Sequence, residues 1–176
     1  MIAEVFNVSR CVNYDTIIVD VIDLPVFDLG PDQAICENES VLLQTNTSFA
    51  STNWYLQNGT ELASNSFFYN HIVLQTDTIV AEFFNASGCV NYDTIVIRSN
   101  PLPEFSLGDD LVSCVGDSIR LEVPDQPLIN WFTGDGQLLT TGRLLNLPFS
   151  SSEDIIAVST NENGCVFSDT LSLTVN

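Results

Sequence analysis

Residues 6–19 read FNVSRCVNYDTIIV, and residues 84–97 read FNASGCVNYDTIVI, identical at ten of fourteen positions. The match is the tail of a longer period. LPVFDLG at 24–30 returns as LPEFSLG at 102–108, Cys36 as Cys114, and Trp54 as Trp131. Gly88 and Cys89 return as Gly164 and Cys165, and Asp93 and Thr94 as Asp169 and Thr170. The offset falls from 78 to 76 along the unit, which places small deletions in loops. The sequence therefore predicts two whole repeats, 24–100 and 101–176. Residues 1–23 match only the last third of one, and read as the end of a domain whose beginning is missing.

Outward from the duplication, the local pattern is β. SIRLEV at 118–123 and TLSLTV at 170–175 alternate polar and apolar residues with period two, the spacing of a strand with one buried face. Short runs of this kind are separated by turn signals such as Asn58-Gly59, Asp135-Gly136 and Asn163-Gly164, and no stretch sustains a helical apolar period. Seven or so short strands per repeat, with Trp on a central strand, predict tandem immunoglobulin-like β-sandwiches preceded by a partial domain, its C-terminal hairpin. Trp54 and Trp131 are expected in the cores. The junctions at 20–25 and 98–103 are short and proline-bearing, so neighbouring domains are expected to hold a restricted orientation, as segments of a rod.

Charge narrows the function classes. The chain carries 23 acidic residues against four arginines and no lysine, a net charge of −19. Nothing cationic is available to displace counterions from nucleic acid, and an anionic membrane surface would repel the chain. The 45% hydrophobic content is that of a folded protein. No apolar run approaches the ~18 residues of a membrane helix, so direct membrane insertion is not expected. A secreted protein of this sequence would be a mature product or an excerpt.

The five cysteines, at 11, 36, 89, 114 and 165, form no CxxC pair. With a single histidine, His71, they suit disulfides in an oxidising compartment better than zinc or redox chemistry. Domains of this size generally need a staple. Cys36–Cys89 would close a loop worth roughly 4 kcal/mol in the chain-entropy model, and Cys114–Cys165 would do the same in the second repeat. Cys11, equivalent to Cys89, is then unpaired within this chain: its partner lies in the absent part of its domain, or it is a free thiol in a loose hairpin.

Catalysis is not expected. There is no GxSxG, no phosphate-binding glycine loop and no HExxH. Acidic neighbours such as Asp109 and Asp110 sit beside turns, where solvated loop charge is the simpler reading. No cofactor is implied. Asp28, Asp32, Glu104, Asp109 and Asp110 gather near the junctions as weak calcium candidates, but without the spacing of a known calcium loop. Asp32 and Asp110 recur at matching positions, which a Gly-x-Asp turn explains equally well. Without lysine, no Lys–Asn isopeptide crosslink can form.

The series P-x-F-x-L-G-x-D, C-x(3)-S-[VI]-x-L, a Trp, and G-C-x(3)-D-T-[IL] resembles the tandem Ig-like, PKD-like repeats of very large secreted proteins of Bacteroidetes, gliding-motility adhesins among them. The resemblance spans both whole repeats and the partial one. It implies an extracellular, cell-surface stalk or adhesin with no catalytic residues to carry over. It also implies O-glycosylation at Asp-[Ser/Thr]-hydrophobic tripeptides, which here would fall on Thr16, Thr78, Thr94, Ser118 and Thr170. The competing reading is that Asp-Thr simply starts strands well. Asn-x-Ser/Thr sequons at Asn7, Asn38, Asn46, Asn58 and Asn85 would matter only in a eukaryotic secretory route.

Two functions follow. The first is a structural repeat of an extracellular filament or adhesin stalk, with neighbouring copies of the repeat or chain as partners and covalent glycans attached. In a variant, residues 1–23 complete a sandwich of a neighbouring chain by strand addition. The alternative is a carbohydrate- or ligand-binding accessory module of a secreted enzyme, with Tyr55, Phe67, Phe68, Tyr69, Phe83 and Phe84 as a stacking platform. Phe83 and Phe84 must face opposite sides of their strand, which leaves one of them for the core.

Overall fold

The computed structural model describes residues 1–45, 50–124, 128–148 and 150–176, all strands, turns and extended segments. Among them, no helix is long and apolar enough to cross a membrane. The chain separates into two compact units. One comprises Met1–Pro31, Leu42–Tyr69 and Thr78–Ile95, and the other Asp32–Val41, Asn70–Asp77 and Val96–Asn176.

Residues 1–16 form an antiparallel hairpin of β1 (Ile2–Phe6) and β2 (Val12–Thr16). Seven strands follow: β3 (Gln33–Cys36), β4 (Ser40–Gln44), β5 (Ser51–Leu56), β6 (Glu61–Ala63), β7 (Phe68–Ile72), β8 (Asp77–Phe84) and β9 (Val90–Asn100). Seven more complete the chain: β10 (Leu111–Ser113), β11 (Ser118–Glu122), β12 (Ile129–Thr133), β13 (Leu138–Thr141), β14 (Leu144–Pro148), β15 (Glu153–Thr160) and β16 (Val166–Val175). Both sets have the same topology. A five-stranded sheet in the order β3-β9-β8-β5-β6 accompanies the pair β4-β7, and one in the order β10-β16-β15-β12-β13 accompanies β11-β14. This is the immunoglobulin-like β-sandwich, with the short first strand parallel to the last.

The second sandwich shows why the sequence folds this way. In SIRLEV, Leu121 and Val123 are buried while Ser118, Arg120 and Glu122 face solvent. Leu121 of β11 and Leu145 of β14 meet Ile129, Trp131, Ile155, Ala157, Leu171 and Leu173 of the opposing sheet. The register of 155–158, ambiguous from its apolar run, resolves with Ile155, Ala157 and Ser159 inward. Both tryptophans are fully buried, as expected. Each indole N–H finds a carbonyl at 2.8 Å, that of Ser66 for Trp54 and of Gly142 for Trp131, so burial leaves neither indole donor unsatisfied.

The N-terminal hairpin carries the same bonds as β8–β9, with Asn7 N–H to Cys11 O and Asn85 N–H to Cys89 O each at 3.1 Å. Tyr14 donates to Glu4 Oε1 at 2.9 Å, as Tyr92 does to Glu82 Oε1 at 2.8 Å. Its surroundings differ. Ala81, Phe83, Ile95 and Ile97 are buried, whereas every residue of β1 and β2 is exposed, and so is Ile17 beyond them.

Candidate functional site

The feature with most chemical consequence lies within the second unit, where β9 gives way to Pro101. Cys36 ends β3, whose parallel pairing sets Cys36 opposite Asn100 at the end of β9. A tight turn follows: Cys36 O accepts the Glu39 N–H at 3.1 Å, and Asn38 takes a left-handed φ of +68°, a conformation Asn tolerates. The Glu37 N–H donates to Asn100 O at 2.9 Å. Facing this turn is the β15–β16 hairpin. Asn161 Oδ1 accepts the N–H groups of Asn163 and Cys165, each at 3.0 Å, and its Nδ2 donates to Pro101 O at 2.8 Å. One side chain thus shapes the hairpin and fastens it to the incoming chain. Cys165, buried at 1% exposure, is bonded to Cys36 with a Cα–Cα distance of 5.6 Å.

This corrects the expected pairing. Cys36 is joined to Cys165, not to Cys89, and Cys114 is not joined to Cys165. Cys89 and Cys114 are thiols, as is Cys11. The reason lies in the parallel first and last strands. Ser113 pairs with Val175 while Cys165 precedes Val166, so Cys114 and Cys165 lie at opposite ends of a ten-residue strand, roughly 30 Å apart. A disulfide tolerates about 7 Å between Cα atoms. Cys36 opposite Asn100 and Cys89 before Val90 are separated by β9 in the same way.

Of the glycosylation candidates, Thr16, Thr94, Ser118 and Thr170 are exposed and Thr78 is half-buried. The aspartates beside them have structural partners. Asp93 accepts the Leu29 N–H at 2.6 Å and Asp169 the Leu107 N–H at 2.8 Å, each clasping the segment that precedes the first strand. Asp117 accepts from the Ser113 hydroxyl at 2.6 Å and the Cys114 N–H at 3.2 Å, bonds that hold its carboxyl below the ordinary range. Asp77 lies 3.3 Å from buried His71. Among the sequon asparagines, Asn7, Asn58 and Asn85 bond turn amides, and Asn46 lies outside the described residues.

The calcium candidates do not converge: among the described residues no three His, Cys, Asp or Glu side chains are grouped to hold a metal. Asp32 accepts the Val96 N–H at 3.0 Å, and Asp110 accepts the Ser172 N–H at 2.9 Å. Their recurrence is a clasp on the last strand. The aromatic candidates are also dispersed. Phe83 is core, Phe84 and Tyr69 are half-buried, and Phe67 and Phe68 are exposed.

Sequence reasoning missed a polar cluster on β5, β8 and β9. Glu82 accepts from Asn53 Nδ2 at 3.1 Å, Tyr55 Oη at 3.2 Å and Tyr92 Oη at 2.8 Å. Burial pushes the Glu82 carboxyl up, and the bonds from Tyr92, Asn53 and Tyr55 outweigh it and hold it below the ordinary glutamate range. Tyr55 is raised by burial and by Glu82, and Tyr92 by its bond to Glu82. Chemically this is a cross-strand tie. The three-fold recurrence of Asn7, Asn85 and Asn161 before a cysteine was the one signal that pointed to the hairpin clamp.

No protein-family model matches the chain, and no curated protein matches it. Solved structures with similar architecture include DIP-gamma IG1+IG2, at 14% identity over 88% of this chain and 98% of that one, with a TM-score of 0.40. The insect immune protein hemolin aligns at 13% identity over 85% of this chain and 46% of its own, with a TM-score of 0.45. The fibronectin(III)-like modules of Clostridium thermocellum CbhA align at 8% identity over 86% and 93%, with a TM-score of 0.37.

Proposed function

We propose that the chain is a structural module of an extracellular filament or adhesin stalk, non-catalytic, extended by neighbouring repeats and O-glycosylated on the exposed hydroxyls of its Asp-[Ser/Thr]-hydrophobic tripeptides. The observation that carries this reading is the covalent tie at Asn100–Pro101. Cys36–Cys165, with the Asn161 clamp beside it, fastens the strands that precede the junction to the hairpin that follows it. A covalent tie there limits how far the chain lengthens under load, which is what a stalk requires. The domain division at 23/24 and 100/101 belongs to the same proposal, as does an outward hydroxyl at Thr16, Thr94, Ser118 and Thr170.

Antibody to the chain, applied to intact source cells, is expected to label surface fibres that protease removes. Labelling only after lysis would refute the reading. Intact mass and peptide mapping of the natively produced protein test the glycans separately. Added sugar at the named hydroxyls supports them, and a mass of 19.3 kDa, less only the disulfide hydrogens, removes them.

A second reading, a carbohydrate-binding accessory module, is favoured by the exposed ring of Tyr92 held beside the Glu82 carboxylate. Retardation in gels containing polysaccharide, lost in Tyr92→Ala, would support it.

A further inference from the structure

Cys114 and Cys11 repeat, in open form, the two halves of the bond that Cys36 and Cys165 form. Cys114 follows β10 as Cys36 ends β3, each of these strands lying parallel to the last strand of its sheet. It sits in the same turn: Cys114 O accepts the Asp117 N–H at 3.2 Å, and Gly116 takes the left-handed place of Asn38 at φ +95°. Asn176, following β16, donates to Ser113 O at 3.0 Å, so the main chain runs beside this turn as Asn100 runs beside Cys36. Cys11 is presented as Cys165 is. Asn7 Oδ1 accepts the N–H groups of Ser9 and Cys11, each at 2.9 Å, and Arg10 holds φ +59° where Gly164 holds +81°. The hairpin closes on Asn7 N–H to Cys11 O at 3.1 Å, against 3.0 Å for Asn161 and Cys165.

Exposure separates the closed pair from the open one. Cys165 is buried and Cys36 half-buried, while Cys11 and Cys114 are both exposed. Cys89, in the third such hairpin, is half-buried, with its clamp Asn85 already bonded to Asp23 O at 3.0 Å.

We propose that Cys114 of one molecule and Cys11 of a second form an intermolecular version of the Cys36–Cys165 bond, coupling copies of this chain head to tail. The oxidant is a low-molecular-weight disulfide. The thiolate of one cysteine attacks it, releasing one small thiol and leaving a mixed disulfide. The thiolate of the second protein molecule then displaces the other small thiol. Two protein thiols and one small disulfide become one protein disulfide and two small thiols, with the two protons carried by the thiols released. The two cysteine turns differ, so the contact is heterologous; a rotation that does not close gives linear chains. The geometry stands without the stalk reading, and the surface-labelling result does not depend on it.

The test is incubation of the purified chain in a mixture of oxidised and reduced glutathione, followed by non-reducing electrophoresis and disulfide mapping. A ladder of oligomers is expected, each junction mapping to Cys114–Cys11 and every copy retaining Cys36–Cys165. Cys114→Ser is expected to lose the ladder while keeping Cys36–Cys165, which reports that it has folded. Cys89→Ser is expected to leave the ladder unchanged. The proposal is overturned if wild type stays monomeric, if the ladder persists in Cys114→Ser, or if the junctions are Cys114–Cys114 and Cys11–Cys11.

Discussion

The Cys36–Cys165 bond sets how far the folded chain lengthens when pulled from its ends. It joins residues 129 apart in sequence, so in the oxidised protein everything between them is bypassed by the load. At about 3.4 Å per extended residue, reduction releases roughly 440 Å of further extension. The same bond constrains the unfolded chain by about 5 kcal/mol in the chain-entropy model. The assay is single-molecule force extension with handles at Met1 and Asn176, with and without a small thiol reductant. Cys165→Ala supplies the reduced behaviour in the absence of reductant. Equal full extension with and without reductant would refute the bond. Two releases of roughly 180 Å each would instead report Cys36–Cys89 and Cys114–Cys165, and refute the argument from opposite strand ends.

Three further outcomes follow from local structure. Trp131→Ala, which empties the centre of the second core and leaves Gly142 O without its indole donor, is expected to cost roughly 3–5 kcal/mol, read from denaturant midpoints. Asn161→Ala removes two accepted bonds and one donated bond at the hairpin. It is expected to cost about 1–2 kcal/mol and to speed reduction of Cys36–Cys165 by dithiothreitol. The Glu82 carboxyl is depressed below the ordinary glutamate range in the folded state, so its contribution is present above the unfolded pKa and is lost as pH falls through the folded one. Because the group is partly exposed, the loss is below about 1 kcal/mol. Glu82→Gln should therefore lower stability at neutral pH slightly and flatten the acid limb of a pH–stability curve.

Much of the sandwich was legible because a strand with one wet face writes itself into the sequence. Ile119, Leu121 and Val123, or Leu171, Leu173 and Val175, could lie on one face only as strands. Trp54 and Trp131 followed from their places in the repeat. What stayed hidden depends on which ends of strands meet. Spacing gave the loop that Cys36–Cys89 would close, but carried no statement that β3 runs parallel to β9 and so leaves those residues at opposite ends. The same blindness hid that the Asp32 and Asp110 carboxylates clasp Val96 and Ser172. Tyr55, Glu82 and Tyr92 gather only across strands, and no local pattern announces them. The recurring Asn before the hairpin cysteine was visible throughout, and its role emerges once Pro101 is seen beneath Asn161.

A single covalent link, Cys36–Cys165, ties the strands before Pro101 to the hairpin after it, and non-reducing proteolysis of the alkylated, folded chain tests it most directly. One disulfide-linked peptide pair is predicted, containing Cys36 and Cys165, with alkylation at Cys11, Cys89 and Cys114. Pairs joining Cys36 to Cys89 and Cys114 to Cys165, with Cys11 alone alkylated, would contradict it.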